Sequence, residues 1–84
     1  MICHIDCSGI RDAKQLHESF ARFLDLPQWY GRNLDALFDC LTELPSPTRL
    51  YLSGWDSSAS WVLGFEAVLK DVQQDCPDLT VIFD

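Results

Sequence analysis

The stretch WYGRNLDALFDCLTE, positions 29–43, carries three acidic side chains, Asp35, Asp39 and Glu43, at intervals of four. On a helix of 3.6 residues per turn that spacing lines them along one face. No Lys or Arg lies within a turn of them on that face, and like charges at i, i+4 cost about 0.2–0.5 kcal/mol each. The helix macrodipole favours Asp35 near the start by about 0.3–1 kcal/mol, but that help fades at Asp39 and is lost at Glu43. Paired carboxylates can act as acid and base in glycoside hydrolysis, where they flank a substrate across a cleft. Two on consecutive turns of one short helix make a convex patch instead, with no nucleophile beside them. Recognition of a basic partner is the other chemistry that suits such a row. Trp29, Tyr30 and Phe38 cannot all lie on the leucine face of the same segment. Rings beside carboxylates have the composition of a binding hot spot. The patch is therefore read as partner-binding, with no catalytic residue; a plain solvated helix surface, with the rings filling the core edge, is the competing reading.

Other reactive side chains form no comparable group. Cys3, His4, Cys7 and His17 suggest a metal cluster only until they are placed on elements. Cys3 and Cys7 share one strand face, His4 points to the opposite face, and His17 belongs to a helix, at its flank and within reach of the second helix. No phosphate-cradling glycine loop, zinc-protease helix motif or paired-cysteine metal motif is present. No cofactor and no metal are expected.

The chain has 84 residues, enough for one domain (residues 1–84), and 48% of them are hydrophobic, which permits a real core. Lys and Arg number 6 against 13 Asp and Glu, a net charge of −7. That balance excludes a general nucleic-acid binder, which needs a basic stripe to displace counterions from phosphate. It suits a basic protein partner. The four cysteines form no disulfide framework, since Cys3 and Cys7 are roughly 13 Å apart on an extended strand. Free thiols, no leader-like pattern and no membrane-length apolar run lead to the expectation of a soluble cytoplasmic protein.

The elements that must position the acidic row follow from pattern. MICHIDC alternates as a half-buried strand does. Asp12 and Gln15 form a capping box for a first helix, whose apolar face is Ala13, Leu16, Phe20, Phe23 and Leu24 and which stops before Pro27. LPQWYGR is a loop in which Gly31 is free to take a positive φ. Asn33 caps a second helix with Leu34, Leu37, Leu41 and Leu44 inward. PSP ends it, and TRLYLS is a second strand. A third helix is expected from about 58 to 74, capped by serines, with Val62, Phe65, Leu69 and Val72 inward, Trp61 and Val68 at the edge, and Gly64 as a weak point. LTVIF closes the order β-α-α-β-α-β as a largely buried strand. Helical crossovers between strands imply a parallel sheet with the helices on one face if the strands lie in chain order.

The segment LPQWYGRNLDALFDCLTE, positions 26–43, resembles the central segment of the barstar family, intracellular inhibitors of microbial ribonucleases. The shared pattern is Tyr-Gly, one variable residue, Asn-Leu-Asp-Ala-Leu, an aromatic, then Asp-Cys-Leu-Thr. IRDAKQLH is similar to the start of that family's first helix, and DLTVIFD to its last strand. The resemblance implies an α/β fold of two layers, a three-stranded parallel sheet with helices packed on one face, and no enzyme activity. It implies that loop and second helix plug a ribonuclease active site, with the free inhibitor a monomer that binds neither nucleic acid nor membrane. By the same resemblance Asp39 would occupy the phosphate pocket among basic side chains, and Asp35 would pair with a second cation. Trp29 would lie against the catalytic histidine, and Gly31 would allow close backbone approach. Asn33 and Thr42 would supply hydrogen bonds, and Phe38 and Glu43 complete the patch. The pattern also departs from the family. Trp29 replaces a usual Tyr and Phe38 a usual Trp, and Arg32 stands where the best-known member has an acid. A further acidic contact of the family falls near Val62, with Asp56 able to replace it only by a loop rearrangement. An immunity or interaction protein for a non-ribonuclease basic enzyme or toxin is the alternative function.

Overall fold

The computed structural model describes residues 1–83. Its elements run β1 (Ile2–Asp6), α1 (Ala13–Phe23), α2 (Leu34–Thr42), β2 (Thr48–Ser53), α3 (Val62–Asp75) and β3 (Leu79–Phe83). The strands form one parallel sheet in the order β1-β2-β3. Ile5 pairs with Leu52 and Leu52 with Phe83, while Cys3 pairs with Leu50 and Leu50 with Val81. Side chains alternate across a strand, so this register puts Cys3, Ile5, Leu50, Leu52, Leu79 and Val81 on one face. The helices cover that face. Ile5, Leu50 and Leu52 are wholly buried there with Leu16, Phe20, Leu37, Leu41, Phe65, Leu69 and Val72. On the other face Ile2, His4, Asp6, Arg49 and Thr80 are exposed, and the His4 ring stacks on Tyr51 at 4.6 Å. The architecture is thus the expected two-layer α/β arrangement. All four cysteines are free, and no helix among the described residues is long and apolar enough to cross a membrane.

Each helix boundary shows how a local signal became geometry. Asp12 accepts from the Gln15 amide at 2.8 Å, but the Gln15 carboxamide reaches back to Arg11 N at 2.7 Å rather than to Asp12, so the capping box closes one residue early. The α1 helix ends before Pro27 could stop it. Asp25 takes the left-handed conformation (φ 52) and Leu26 N donates to Ala21 O at 3.0 Å, a Schellman termination built on an aspartate. Phe23 is not on the buried face as expected but half exposed, under the Arg22 guanidinium at 5.8 Å. The α3 helix begins at Val62, not near 58, and no serine caps it. Ser58 instead satisfies Asp56, and tight turns carry the chain to Trp61.

Two further expectations are corrected. Gly64 is no break in α3; a Cβ there would sit 2.7 Å from Leu34 Cδ1, so the missing side chain lets α3 approach α2 closely. The β3 strand is an edge rather than a buried strand. Only Leu79 is fully buried, and Phe83 remains 46% exposed against Trp55. Its outer edge is blunted from within, because Leu79 N donates to Cys76 O and Val81 N to the Gln73 carboxamide at 3.0 Å.

Gly54 is the glycine that the turn after β2 requires. Its φ is +68, and a Cβ would lie 2.8 Å from Ser8 N, Cα and Cβ. Left-handed backbone alone costs a non-glycine residue about 1–2 kcal/mol, and overpacking adds about 1–3 kcal/mol. Gly54→Ala is therefore expected to lower unfolding free energy by about 2 kcal/mol or more, read by urea denaturation; a change under 0.5 kcal/mol, roughly the scatter of harmless surface substitutions, would contradict the role assigned to this turn.

Candidate functional site

The candidate patch is built from the loop after α1 and the whole of α2. Leu37, Cys40 and Leu41 face the core, and Leu34, Phe38 and Leu44 are half buried beside it. With that side turned inward, Asp35, Asp39 and Glu43 are exposed. A rise of 1.5 Å per residue spreads the three over about 12 Å of helix axis. Among the described residues the only ion pair is Arg32–Glu18, so none of the three is matched by a Lys or Arg of its own chain. The field of this row reaches the helix's own interior. Burial pushes the Cys40 thiol pKa up, and the charges of Glu43 and Asp39 add to the shift.

Asn33 starts α2 as expected, in extended backbone, with its side-chain oxygen accepting from Ala36 N at 2.8 Å. That oxygen is therefore already used, and a partner would meet the amide NH2, which touches Gly31 O weakly at 3.4 Å. Thr42 donates to Asp39 O at 2.8 Å, leaving its hydroxyl lone pairs as acceptors. Glu43 is the C-cap residue, where the helix dipole opposes its charge. Phe38 is half buried and serves the core edge as well as the surface. Trp29 is 63% exposed, the most open aromatic of the patch. Gly31 is exposed but is not in the positive-φ region; Arg32 is, at φ 51. A Cβ at 31 would lie 2.9 Å from Asn33 Nδ2, so a larger residue there would have to displace the end of the capping side chain.

The loop is held from below by two consecutive α1 residues that sequence pattern did not assign to the site. Tyr30 is only 2% exposed, and its hydroxyl is hydrogen bonded to His17 Nδ1. His17 is buried, its ring 4.7 Å from Phe65 of α3. It thus touches both the loop and the third helix. Next to it, Glu18 accepts from Arg32 Nε, while Arg32 also donates to Tyr30 O at 3.1 Å. Burial lowers the His17 pKa, and the Arg32 charge adds to this against a weaker opposing effect of Glu18. Burial likewise raises that of Tyr30. The bond consequently joins an un-ionised Tyr30 hydroxyl to the Nδ1 of an uncharged imidazole. Only the position of His17 between Leu16 and Phe20, one residue off the apolar stripe, hinted at it.

The residues considered for metal binding do not converge; among the described residues no three His, Cys, Asp or Glu side chains form such a group. The clefts beside Trp55 and Phe83 and between Pro45 and Pro77 are lined by neither Asp35 nor Asp39. Fold and patch together define a small two-layer α/β protein whose distinctive surface is a convex acidic helix behind an aromatic loop. Residues 1–83 match the family model described as Barstar (barnase inhibitor). The chain is also 33% identical over 79 residues to the Bacillus subtilis (strain 168) protein named "Putative ribonuclease inhibitor YrdF", covering 88% of this chain and 87% of that one. The chain belongs to the barstar family, and with it to inhibitors rather than enzymes.

The latch makes the loop sensitive to acid. A fold that holds His17 neutral binds fewer protons than the unfolded chain, so this contribution is complete above about pH 6.5 and is lost as pH falls below it. Unfolding free energy should decline between pH 7.5 and 5.5, before most carboxylates titrate, and His17→Leu should flatten that decline. Tyr30→Phe, which leaves the buried His17 Nδ1 without its partner, is expected to cost about 1–3 kcal/mol at pH 7.5 by urea denaturation. A pH-independent wild type, or a Tyr30→Phe variant as stable as wild type, would remove the latch from this account.

Proposed function

We propose that residues 1–84 act as one inhibitor domain that blocks the basic active site of a microbial ribonuclease with α2 and the loop before it. One observation carries this reading: Asp35 and Asp39 stand exposed on one helix face and, among the described residues, are matched by no cation. The membership of the barstar family and the ribonuclease-inhibitor name of the B. subtilis relative support a ribonuclease as the partner. The mechanism is imitation of a polyanion. The net charge of −7 steers encounter with a cationic cleft. Asp39 then enters the phosphate-binding part of the cleft and Asp35 pairs with a neighbouring cation. Trp29 covers the edge of the site, Gly31 lets the loop backbone come close, and Asn33, Thr42, Phe38 and Glu43 complete the contact. Bringing each carboxylate against several donors replaces its water with charge-assisted hydrogen bonds. The inhibitor works in the reducing cytoplasm, which its four free cysteines suit, and is a monomer until it meets its target.

A second reading is favoured by the segment after β2. Val62, where the family's further acid falls, is 2% exposed and belongs to the core. Asp56 is exposed, but one of its carboxylate oxygens already accepts from Ser58 N at 3.0 Å and Ser58 Oγ at 2.5 Å. An interface lacking that acid could be tuned to a different basic enzyme or toxin, for which this chain would serve as immunity protein.

Inhibition of microbial guanyl-specific ribonucleases by the purified chain tests the first reading. Hot-spot charges typically cost about 2 kcal/mol or more on truncation, so Asp39→Ala should weaken inhibition by roughly thirtyfold or more. Association should slow steeply between 50 and 500 mM salt. Inhibition of none of a panel of such enzymes, together with capture of a non-ribonuclease protein through Asp35 and Asp39, would transfer the function to the second reading.

A further inference from the structure

The one ion pair among the described residues joins the loop to α1, and its placement beside the acidic row suggests a task. Arg32 lies three residues before Asp35, in left-handed backbone at φ 51. Its guanidinium folds back over the Tyr30 carbonyl at 3.1 Å and ends on the Glu18 carboxylate. The side chain is thereby directed toward α1 and away from α2. Both partners are about half exposed, at 46% and 50%, so the pair itself stabilises the fold only weakly. Paired, Arg32 and Glu18 sum to zero; unpaired, Arg32 is the cation nearest in sequence to Asp35 and Asp39. No other Lys or Arg occurs in sequence between Arg22 and Arg49.

We propose that Glu18 is a positioning residue for the binding patch, which confines Arg32 to α1 and keeps the Asp35–Asp39 ridge free of a competing internal cation. This rests on the inhibitor reading given above. Without Glu18, the guanidinium is free to swing toward Asp35 and to meet an incoming basic cleft with a like charge. The consequence falls on encounter with the partner, because steering depends on the summed local field.

A double-variant cycle tests it, with association rates to a basic microbial ribonuclease followed by stopped flow at low and high salt. Glu18→Ala is expected to slow association about three- to tenfold at 50 mM salt, with the difference shrinking toward unity at 500 mM as screening sets in. Arg32→Ala should not slow it, and Glu18→Ala combined with Arg32→Ala should return the rate to within about twofold of wild type. Asp71→Ala, an equal change of net charge on exposed α3, should alter the rate less than twofold. A merely structural role would leave the double variant as slow as Glu18→Ala or slower, and a pure net-charge effect would make Asp71→Ala match it; either result overturns the proposal. If the wild type binds no ribonuclease, the inhibitor reading has failed separately. The positioning role is then judged on the free chain, where solvent exchange of the Arg32 Nε–H in NMR should be slowed in wild type and fast in Glu18→Ala. Equal exchange in the two would overturn it there.

Discussion

Burial of Leu37, Cys40 and Leu41 fixes the rotation of α2, and the rest of the surface chemistry depends on that rotation. A nine-residue helix is too short to be stable by itself, so its formation and its orientation both come from packing. Once these three side chains enter the core, every residue on the opposite side is turned to water, including Asp35 and Asp39. Like-charge repulsion along the row costs tenths of a kcal/mol per pair, whereas burying a leucine contributes about 1.5–3 kcal/mol. The apolar contacts therefore dominate, and the helix tolerates an unbalanced row that would be a poor choice for an isolated peptide. Gly64 contributes from the other side, since its missing side chain admits Leu34 at the α2–α3 contact.

The loop ahead of α2 obtains its order from α1. Three devices act in sequence: the Asp25 Schellman turn sets the exit from α1, His17 holds Tyr30, and Glu18 holds Arg32. Trp29 and Gly31 lie between these fixed points, exposed on a backbone whose neighbours are tied down. A loop ordered before encounter loses less conformational freedom on binding than a mobile one, and that saving appears directly in affinity. The small domain thus places adaptable-looking loop residues on a scaffold as firm as its helices.

Elements with strong periodicity were legible in the sequence, and elements defined by contacts across the chain were not. Alternation in MICHIDC and TRLYLS, the leucine repeat of α2 and its Asn33 cap all became the structures their patterns imply. The acidic row was legible because a four-residue spacing is itself a geometric statement. Gly31 misled because glycine permits a positive φ without requiring one; the strain fell on Arg32, whose side chain is stabilised by Glu18 and the Tyr30 carbonyl. The anchoring of Tyr30 was not legible, because no local pattern shows that a histidine 13 positions earlier pairs with its hydroxyl. Phe23 continued the α1 stripe in pattern, but at the last turn Phe20 and Leu24 enter the core while Phe23 stays half exposed beside Arg22. Serines before α3 looked like caps, yet Ser58 was claimed by Asp56 first. In each case a residue's local preference met a partner that only the fold could supply.

The distribution of acid over the surface also bears on how selective such a patch can be. With Val62 withdrawn into the core and one Asp56 oxygen committed to Ser58, the proposed anionic contact would narrow to α2 and its loop. A narrower contact has fewer charges to mismatch, so it discriminates less through numbers of pairs and more through the placement of each. That places weight on whatever keeps stray positive charge out of the ridge. Arg32 is the one residue near enough in sequence to spoil it, and a single carboxylate on α1 decides where its charge is spent. Under the proposed role, charge patterning of the acidic face and packing of the first helix would be one problem, met by adjacent residues: His17 turns inward onto Tyr30, and Glu18 turns outward onto Arg32.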